Sequence, residues 1–170
     1  MKNTIKGDIT DLQIDAIVNA ANPQLKGGGG VDGAIHKAAG EELLKECLEI
    51  GGCPTSEARL TRAYNLPCKY VIHAVGPIWS GGNDNEIDLL KTTYWNALTL
   101  AKENNIKSIA FPNISTGVYG MPKVEAAYAA IETITKFLNE VDSTLSVTFV
   151  CFDDLNFQIY QELCPNFKLL

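Results

Sequence analysis

The stretch that decides the fold runs from residue 14 to residue 49 and reads IDAIVNAANPQLKGGGGVDGAIHKAAGEELLKECLE. Its apolar start, residues 14–18, predicts a buried strand. Pro23 and the glycines at positions 27–30 predict a loop. Apolar side chains then recur at helical spacing, which predicts one long helix over residues 31–49. Glycines let backbone N–H groups approach a ligand closely, and a helix N-terminus carries positive partial charge. The order of strand, loop and helix therefore predicts an anion site for phosphate.

Polar side chains surround the predicted glycine loop: Asn19, Asn22, Asp32 and His36. Asp32 falls in the first turn of the helix, and His36 follows four residues later on the same face. Each residue type also has an ordinary structural interpretation, since Asp complements helix dipoles, His forms hydrogen bonds and Asn forms turns. Their convergence beside one loop favours a ligand pocket that also holds catalytic groups.

Gly28, Gly30 and Gly33 match the dinucleotide-binding pattern G-x-G-x-x-G between a strand and a helix. That pattern also requires an acidic residue about 20 positions later, at the end of a second parallel strand. Glu49 lies on the predicted helix and Glu57 precedes the next strand, so neither fits. No G-K-[ST] follows the glycines, which excludes a nucleoside-triphosphatase P-loop. A dinucleotide-dependent oxidoreductase is therefore a distant alternative.

The composition predicts one acidic globular domain over residues 1–170. A net charge of −6 and a pI of about 4.9 disfavour broad nucleic-acid binding, which needs a basic surface. The five cysteines are odd in number and lack C-x-x-C spacing, so they predict buried thiols that form neither disulfides nor a zinc site. Residues 1–8, MKNTIKGD, lack the apolar segment typical of a signal peptide, and the sequence contains no apolar run of about 18 residues. We therefore expect a cytoplasmic monomer without membrane contact.

The whole chain alternates strands and helices, a pattern typical of an α/β fold with helices flanking a mostly parallel sheet. The predicted strands cover residues 4–6, 14–19, 58–61, 70–75, 108–111 and 145–152, and the predicted helices cover residues 31–49, 86–103, 124–138 and 155–163. A second glycine loop, residues 115–120, follows a strand; alone, it would be interpreted as a tight turn. Ligands of such folds bind at the carboxyl ends of strands, so two glycine loops there could hold a diphosphate.

Five motifs occur in chain order: GDIT at residues 7–10, NAAN at 19–22, GGGGVDGAIHKAAG at 27–40, VIHAVGP at 71–77 and ISTGVYG at 114–120. Together they resemble the macrodomain family, and more narrowly its MacroD-type ADP-ribosyl hydrolases. The resemblance covers nearly the whole chain. It implies a three-layer α/β/α sandwich around a six-stranded, mixed and mostly parallel sheet. It further implies that the domain binds ADP-ribose and needs no cofactor.

The resemblance also implies the catalytic residues. Asp32 matches the catalytic carboxylate, and His36 matches its partner. Asn22 matches the contact to the distal ribose. Asn19 matches a supporting amide beside it and is counted among the ligand-binding residues. No metal is expected, because the two histidines, His36 and His73, are not spaced as ligands. His73 lies inside an apolar strand, and we interpret it as structural.

Other positions match the ligand-binding residues of the family. Asp8 would accept a hydrogen bond from the adenine amino group, and Ile9 would contact adenine through its backbone. Phe152 falls where an aromatic side chain lies beside adenine. The diphosphate and distal ribose would lie against the two glycine loops: Gly29, Gly30, Val31, Ser115, Thr116, Gly117, Val118 and Tyr119.

Three positions depart from the family pattern. Ser56 and Arg62 stand where glycines are expected, and Met121 stands where an aromatic residue is usual. None of the three falls on an expected catalytic residue. Met121 is expected to loosen the second glycine loop, which affects affinity more than activity.

The activity implied by the resemblance is hydrolysis of ADP-ribosyl esters at the anomeric carbon. The substrates would be aspartyl and glutamyl ADP-ribose on mono-ADP-ribosylated proteins, and O-acetyl-ADP-ribose. An ordinary aspartate has a pKa of about 3.9 and is a weak base near neutral pH, so we expect Asp32 to position the attacking water more than to deprotonate it. The alternatives are a non-catalytic ADP-ribose-binding module and an ADP-ribose-1″-phosphate phosphatase.

Overall fold

The structure is a computed structural model that describes residues 2–164 and 168–169. Its centre is a mixed, mostly parallel sheet with the spatial order β3-β4-β2-β5-β6-β1-β7. The strands are β1 (Lys2–Lys6), β2 (Ala16–Ala20), β3 (Ala58–Arg62), β4 (Tyr70–Ala74), β5 (Ser108–Phe111), β6 (Ser146–Cys151) and β7 (Lys168–Leu169). All neighbouring strands pair in parallel except β3 and β4. The six predicted strands are present, and a seventh of two residues extends the β1 edge.

Helices cover both faces of the sheet and complete the three-layer sandwich that the sequence predicted. They are α1 (Gly30–Ala39), α2 (Glu41–Ile50), α3 (Glu86–Glu103), α4 (Lys123–Glu140) and α5 (Asp154–Leu163), with a 3-10 turn at Ile9–Asp11. Apolar side chains of α1 and α2 pack on one face of the sheet, and those of α3, α4 and α5 pack on the other. No helix among the described residues combines the length and apolarity needed to cross a membrane.

The single helix predicted over residues 31–49 is wrong, because the chain breaks at Gly40. Gly40 has a φ of +88°, which side-chain-bearing residues rarely adopt, and its N–H donates to the His36 carbonyl at 3.1 Å. A Cβ atom there would lie 2.8 Å from Asn65 Nδ2. Periodicity misses the break because apolar residues at helical spacing continue into α2, where Leu43 and Cys47 are buried.

The departures from the family pattern fall in three different environments. Ser56 is buried with a φ of +72°, the left-handed conformation that glycine adopts most easily. Arg62 is exposed at the end of β3, and its N–H donates to the Glu46 carboxylate at 3.1 Å. Met121 is buried in the core, and its N–H donates to the Ser115 carbonyl at 2.9 Å. Met121 is thus directly bonded to the second glycine loop.

Candidate active site

A cavity of about 590 Å³ opens at the carboxyl ends of β1, β2, β5 and β6. Its walls come from the segments that follow these strands and from the start of α1. All the predicted site residues line it except Asn19 and His36: Asp8, Ile9, Asn22, Gly29, Gly30, Val31, Asp32, Ser115, Thr116, Gly117, Val118, Tyr119 and Phe152. Parallel strands place their carboxyl ends at one edge of a sheet, which explains why segments distant in sequence meet at this cavity.

The first glycine loop forms the wall next to α1. Gly33 lies so close to this loop that an added Cβ would be 2.5 Å from the Gly28 carbonyl oxygen. Nothing lies within 4 Å of a Cβ added at Gly29 or Gly30, so both residues face open space. Helix α1 begins without a side-chain cap, which leaves N–H groups at its start unpaired at the cavity. The loop and helix therefore have the geometry expected of an anion site.

The second glycine loop forms the opposite wall. Ser115 has a φ of +65°, a strained conformation of the kind found at functional sites. A Cβ atom on Gly76, which follows β4, would lie 2.3 Å from Ser115 Oγ, so the two segments are in direct contact. The Trp79 N–H donates to the Tyr119 carbonyl at 2.8 Å and fixes the far end of the loop. Val118 is fully exposed at the tip, where it can contact a ligand or solvent.

Asp32 is a buried carboxylate at the bottom of the cavity. Asn19 Nδ2 donates to Asp32 Oδ1 at 2.7 Å, and His36 Nε2 lies 3.4 Å from the same oxygen. Burial raises the pKa of the Asp32 carboxyl, while the Asn19 hydrogen bond and the neighbouring His36 imidazole oppose that rise. The site therefore holds a carboxylate that is more basic than an ordinary aspartate.

Asn22 lies beside Asp32 at the first glycine loop. Its Nδ2 donates to the Gly27 carbonyl at 2.8 Å. A Cβ atom on Gly28 would lie 3.2 Å from Asp32 Oδ2 and 3.7 Å from Asn22 Nδ2, so both side chains flank Gly28. Asn22 and Asp32 are thus brought together at the cavity wall.

Two predicted site residues lie behind the wall. Asn19 is completely buried on β2 and does not line the cavity, which corrects its assignment as a ligand contact. His36 also does not line the cavity and packs behind Asp32. Both side chains can act on a ligand through Asp32, and we treat them as positioning residues.

The opposite end of the cavity follows β1 and β6. Asp8 is exposed, and its Oδ1 accepts hydrogen bonds from the Thr10 N–H at 2.9 Å and the Thr10 hydroxyl at 2.7 Å. Phe152 is 79% exposed and lines the cavity, while the side chain of Ile9 is buried beneath the turn. An exposed aromatic face beside a carboxylate acceptor is suited to a flat, amine-bearing ring such as adenine.

Sequence reasoning missed two residues at this end, Asp153 and Asn156. Asp153 caps α5 by accepting from the Asn156 N–H at 2.8 Å, and Lys123 Nζ lies 3.2 Å from its carboxylate. Asn156 is 4% exposed and lines the cavity, and its buried Oδ1 has no hydrogen-bond partner. Asp153 had a sequence signal, since it precedes a predicted helix as an N-cap. Asn156 had none, because a polar residue in a helix is normally expected in solvent.

Within the part of the chain that the structure describes, His36, Cys47 and His73 bring three potential metal-ligand atoms within 4.8 Å of one another. His73 Nε2 lies 2.9 Å from Thr61 Oγ1 and 3.7 Å from Cys47 Sγ. Burial lowers the pKa of His73 to about 3 and raises the pKa of Cys47 to about 11. These pKa values describe His73 and Cys47 as neutral groups near pH 7. All five cysteines are buried thiols, as the sequence predicted.

The fold and the site together define a three-layer α/β/α protein with a cavity at the carboxyl ends of its parallel strands and a buried carboxylate in that cavity. A macro domain family model matches residues 18–130. The O-acetyl-ADP-ribose deacetylase of Escherichia coli strain K12 is 50% identical over 165 residues, 95% of this chain and 93% of that protein. The chain therefore belongs to the macro domain family.

Solved structures agree with that membership. The Oceanobacillus iheyensis macrodomain with ADP is 49% identical and superimposes with a TM-score of 0.90, covering 94% of this chain and 87% of that chain. The Trypanosoma brucei macrodomain in complex with ADP-ribose is 45% identical with a TM-score of 0.89, covering 94% of this chain and 67% of that chain. The expected α/β/α fold is confirmed.

Proposed function

We propose that this protein binds ADP-ribose and hydrolyses ADP-ribosyl esters, namely mono-ADP-ribosylated aspartate and glutamate on proteins and O-acetyl-ADP-ribose. The observation that carries the proposal is the buried Asp32 carboxylate, held beside Asn22 at the N-terminus of α1 and open to the cavity. Relatives named O-acetyl-ADP-ribose deacetylase, about half identical over nearly the whole chain, support the reaction class.

In the proposed complex, adenine lies against Phe152 and donates its amino hydrogen to the Asp8 carboxylate. The diphosphate lies between the two glycine loops, where the N–H groups at the start of α1 compensate its charge. The distal ribose then reaches Asn22 and Asp32. The volume of about 590 Å³ is within the range of small-molecule sites.

For the aspartyl and glutamyl linkages, we propose that Asp32 holds and activates a water molecule for attack on the anomeric carbon of the distal ribose. The water oxygen forms a bond to that carbon, the carbon–oxygen bond to the ester breaks, and the ester leaves as a carboxylate. The proton of the water passes to Asp32 and then to solvent. Because burial raises the pKa of Asp32, the carboxylate is a better base than the sequence alone suggested. The negative charges of Asp32 and the diphosphate also stabilise positive charge that develops on the sugar.

A defined peptide that carries one glutamate-linked ADP-ribose tests the proposal. The protein is incubated with the peptide and a metal chelator, and free ADP-ribose is measured by chromatography. We expect catalytic release. Binding without release would support a non-catalytic ADP-ribose-binding module, and release of phosphate from ADP-ribose-1″-phosphate, without peptide cleavage, would support the phosphatase.

Asp8→Ala is expected to weaken ADP-ribose binding about 10- to 100-fold, because a hydrogen bond to a charged group contributes roughly 1.5–3 kcal/mol. Isothermal titration calorimetry measures the change. Asp11→Ala is the matched control, since Asp11 is an exposed acid on the same turn and does not line the cavity. Equal affinity of Asp8→Ala and wild type would remove Asp8 from the binding site.

Gly29→Glu is expected to weaken ADP-ribose binding by at least about 100-fold, because a carboxylate placed a few ångströms from a phosphate is strongly repelled. Gly29 suits this test, since its φ of −97° accepts any side chain and an added Cβ meets nothing within 4 Å. Gly29→Gln is the neutral control of equal size and should retain more affinity. A folded Gly29→Glu protein with wild-type affinity would show that the loop does not contact phosphate.

A further inference from the structure

Three buried polar side chains, Asn19, His73 and Thr61, form a hydrogen-bonded series behind Asp32, and the account so far gives His73 and Thr61 no part in the reaction. Asn19 on β2 and His73 on β4 are neighbours in the sheet, at paired register positions. Asn19 Nδ2 lies 2.7 Å from Asp32 Oδ1 and 3.1 Å from His73 Nδ1, and His73 Nε2 lies 2.9 Å from Thr61 Oγ1 on β3. The contacts therefore run from Asp32 to Asn19, then to His73 and Thr61.

The chemistry of these groups fixes the direction of each hydrogen bond. An ionised carboxylate accepts only, so Asn19 must present its NH₂ group to Asp32. The second hydrogen of that NH₂ group then donates to His73 Nδ1, which must be unprotonated. A neutral imidazole with an unprotonated Nδ1 carries its hydrogen on Nε2, and that hydrogen donates to Thr61 Oγ1. Asn19 Oδ1 is left without a hydrogen-bond partner. The two acceptors at Nδ2 therefore set the orientation of the Asn19 amide.

The opposite orientation is incompatible with an ionised Asp32. If His73 carried its hydrogen on Nδ1, Asn19 would turn its Oδ1 toward that hydrogen. The same oxygen would then lie against the Asp32 carboxylate, where two acceptors repel each other. The tautomer of His73 thus determines whether Asn19 donates to Asp32 or opposes its charge.

We propose that His73 is a positioning residue for Asp32: through its unprotonated Nδ1 it holds the Asn19 amide in the orientation that donates to the carboxylate. This inference rests on the proposed function, because it assigns His73 a part in hydrolysis. It replaces the interpretation of His73 as a purely structural residue. His36 and Cys47 also face this cluster, but each lies at 3.4 Å or more from its nearest polar partner and does not set the amide.

The test compares two substitutions at His73. His73→Asn places an acceptor oxygen two bonds from Cβ, as Nδ1 is, so it can still accept from Asn19. His73→Leu fills a similar volume without an acceptor. We expect His73→Leu to lower kcat for release of ADP-ribose from the glutamate-linked peptide roughly 10- to 100-fold, the range seen when a partner that orients an active-site ligand is lost. The Kd for ADP-ribose should be unchanged, and His73→Asn should recover most of kcat.

Thr61→Val gives a second variant of nearly the same shape, in case His73→Leu does not fold. It removes the acceptor for His73 Nε2 and should also lower kcat without changing Kd. Equal kcat in wild type and in either folded variant, or no difference between His73→Asn and His73→Leu, would overturn the proposal.

A measurement without substrate separates this inference from the proposed function. Nitrogen-15 NMR of the wild-type imidazole should show His73 as the tautomer protonated on Nε2. If the wild-type protein shows this tautomer but releases no ADP-ribose, the proposed hydrolase activity is refuted, while the proposed hydrogen-bond directions are retained. Protonation of His73 on Nδ1 in an active enzyme would overturn the proposed hydrogen-bond directions and with them the inference.

Discussion

Asp32→Ala is expected to lower kcat for release of ADP-ribose by roughly 100- to 10,000-fold, the usual contribution of a positioned acid–base group. The Kd for ADP-ribose should change little. The carboxylate lies at the bottom of the cavity, and its interaction with the attacking water strengthens in the transition state. Such an interaction affects kcat more than ligand affinity. Single-turnover release and calorimetry on the same preparation measure the two quantities.

Asp32→Asn is the control for folding, because it keeps an acceptor for Asn19 and removes the negative charge. We expect it to be as inactive as Asp32→Ala and at least as stable as wild type, since the wild-type site holds a charge against burial. Its thermal midpoint reports that stability. Losses of similar size in kcat and in affinity would instead assign Asp32 to ribose binding.

The second large effect concerns the leaving group. Glutamate-linked ADP-ribose should be cleaved at least about 100-fold faster than serine-linked ADP-ribose, because an alkoxide needs a general acid and a carboxylate does not. Among the described residues that line the cavity, Asp8 and Asp153 lie at the end that follows β1 and β6, Tyr119 lies on the second glycine loop, and Asp32 is the ionised group that activates the water. His36 contacts Asp32 from behind and does not line the cavity. Among the described residues, no histidine lines the cavity to protonate the leaving serine oxygen.

Two peptides of the same sequence, apart from the linked residue, test this selectivity. Mass spectrometry first confirms one ADP-ribose on each, and release is then followed at equal peptide concentration. Similar rates on both peptides would mean that the site contains a proton donor for the serine oxygen.

Much of the site could be predicted because it lies in short local signals. Recognisable sequence patterns mark the strand that ends at Asn19, the glycine loop and the start of α1. Because the carboxyl ends of parallel strands lie at one edge of a sheet, the loops that follow them meet at the cavity. The second glycine loop follows from the same rule, since it comes directly after β5. These predictions needed no knowledge of tertiary contacts.

The features that were missed depend on contacts across the fold. The break at Gly40 coincides with its close approach to Asn65, which helical periodicity does not report. The role of His73 depends on its register with Asn19 in a neighbouring strand, and 53 intervening residues hide that pairing. Asn156 is buried at the cavity because α5 packs there, although its residue type predicts exposure.

The central claim, attack of water on the sugar carbon, is tested most directly by hydrolysing the glutamate-linked peptide in oxygen-18-labelled water. The peptide carboxylate is then analysed by mass spectrometry after a single turnover. Attack on the anomeric carbon leaves both original oxygens on the glutamate, so we predict an unlabelled peptide. A peptide that gains one oxygen-18 atom would show attack on the acyl carbon and would contradict the mechanism.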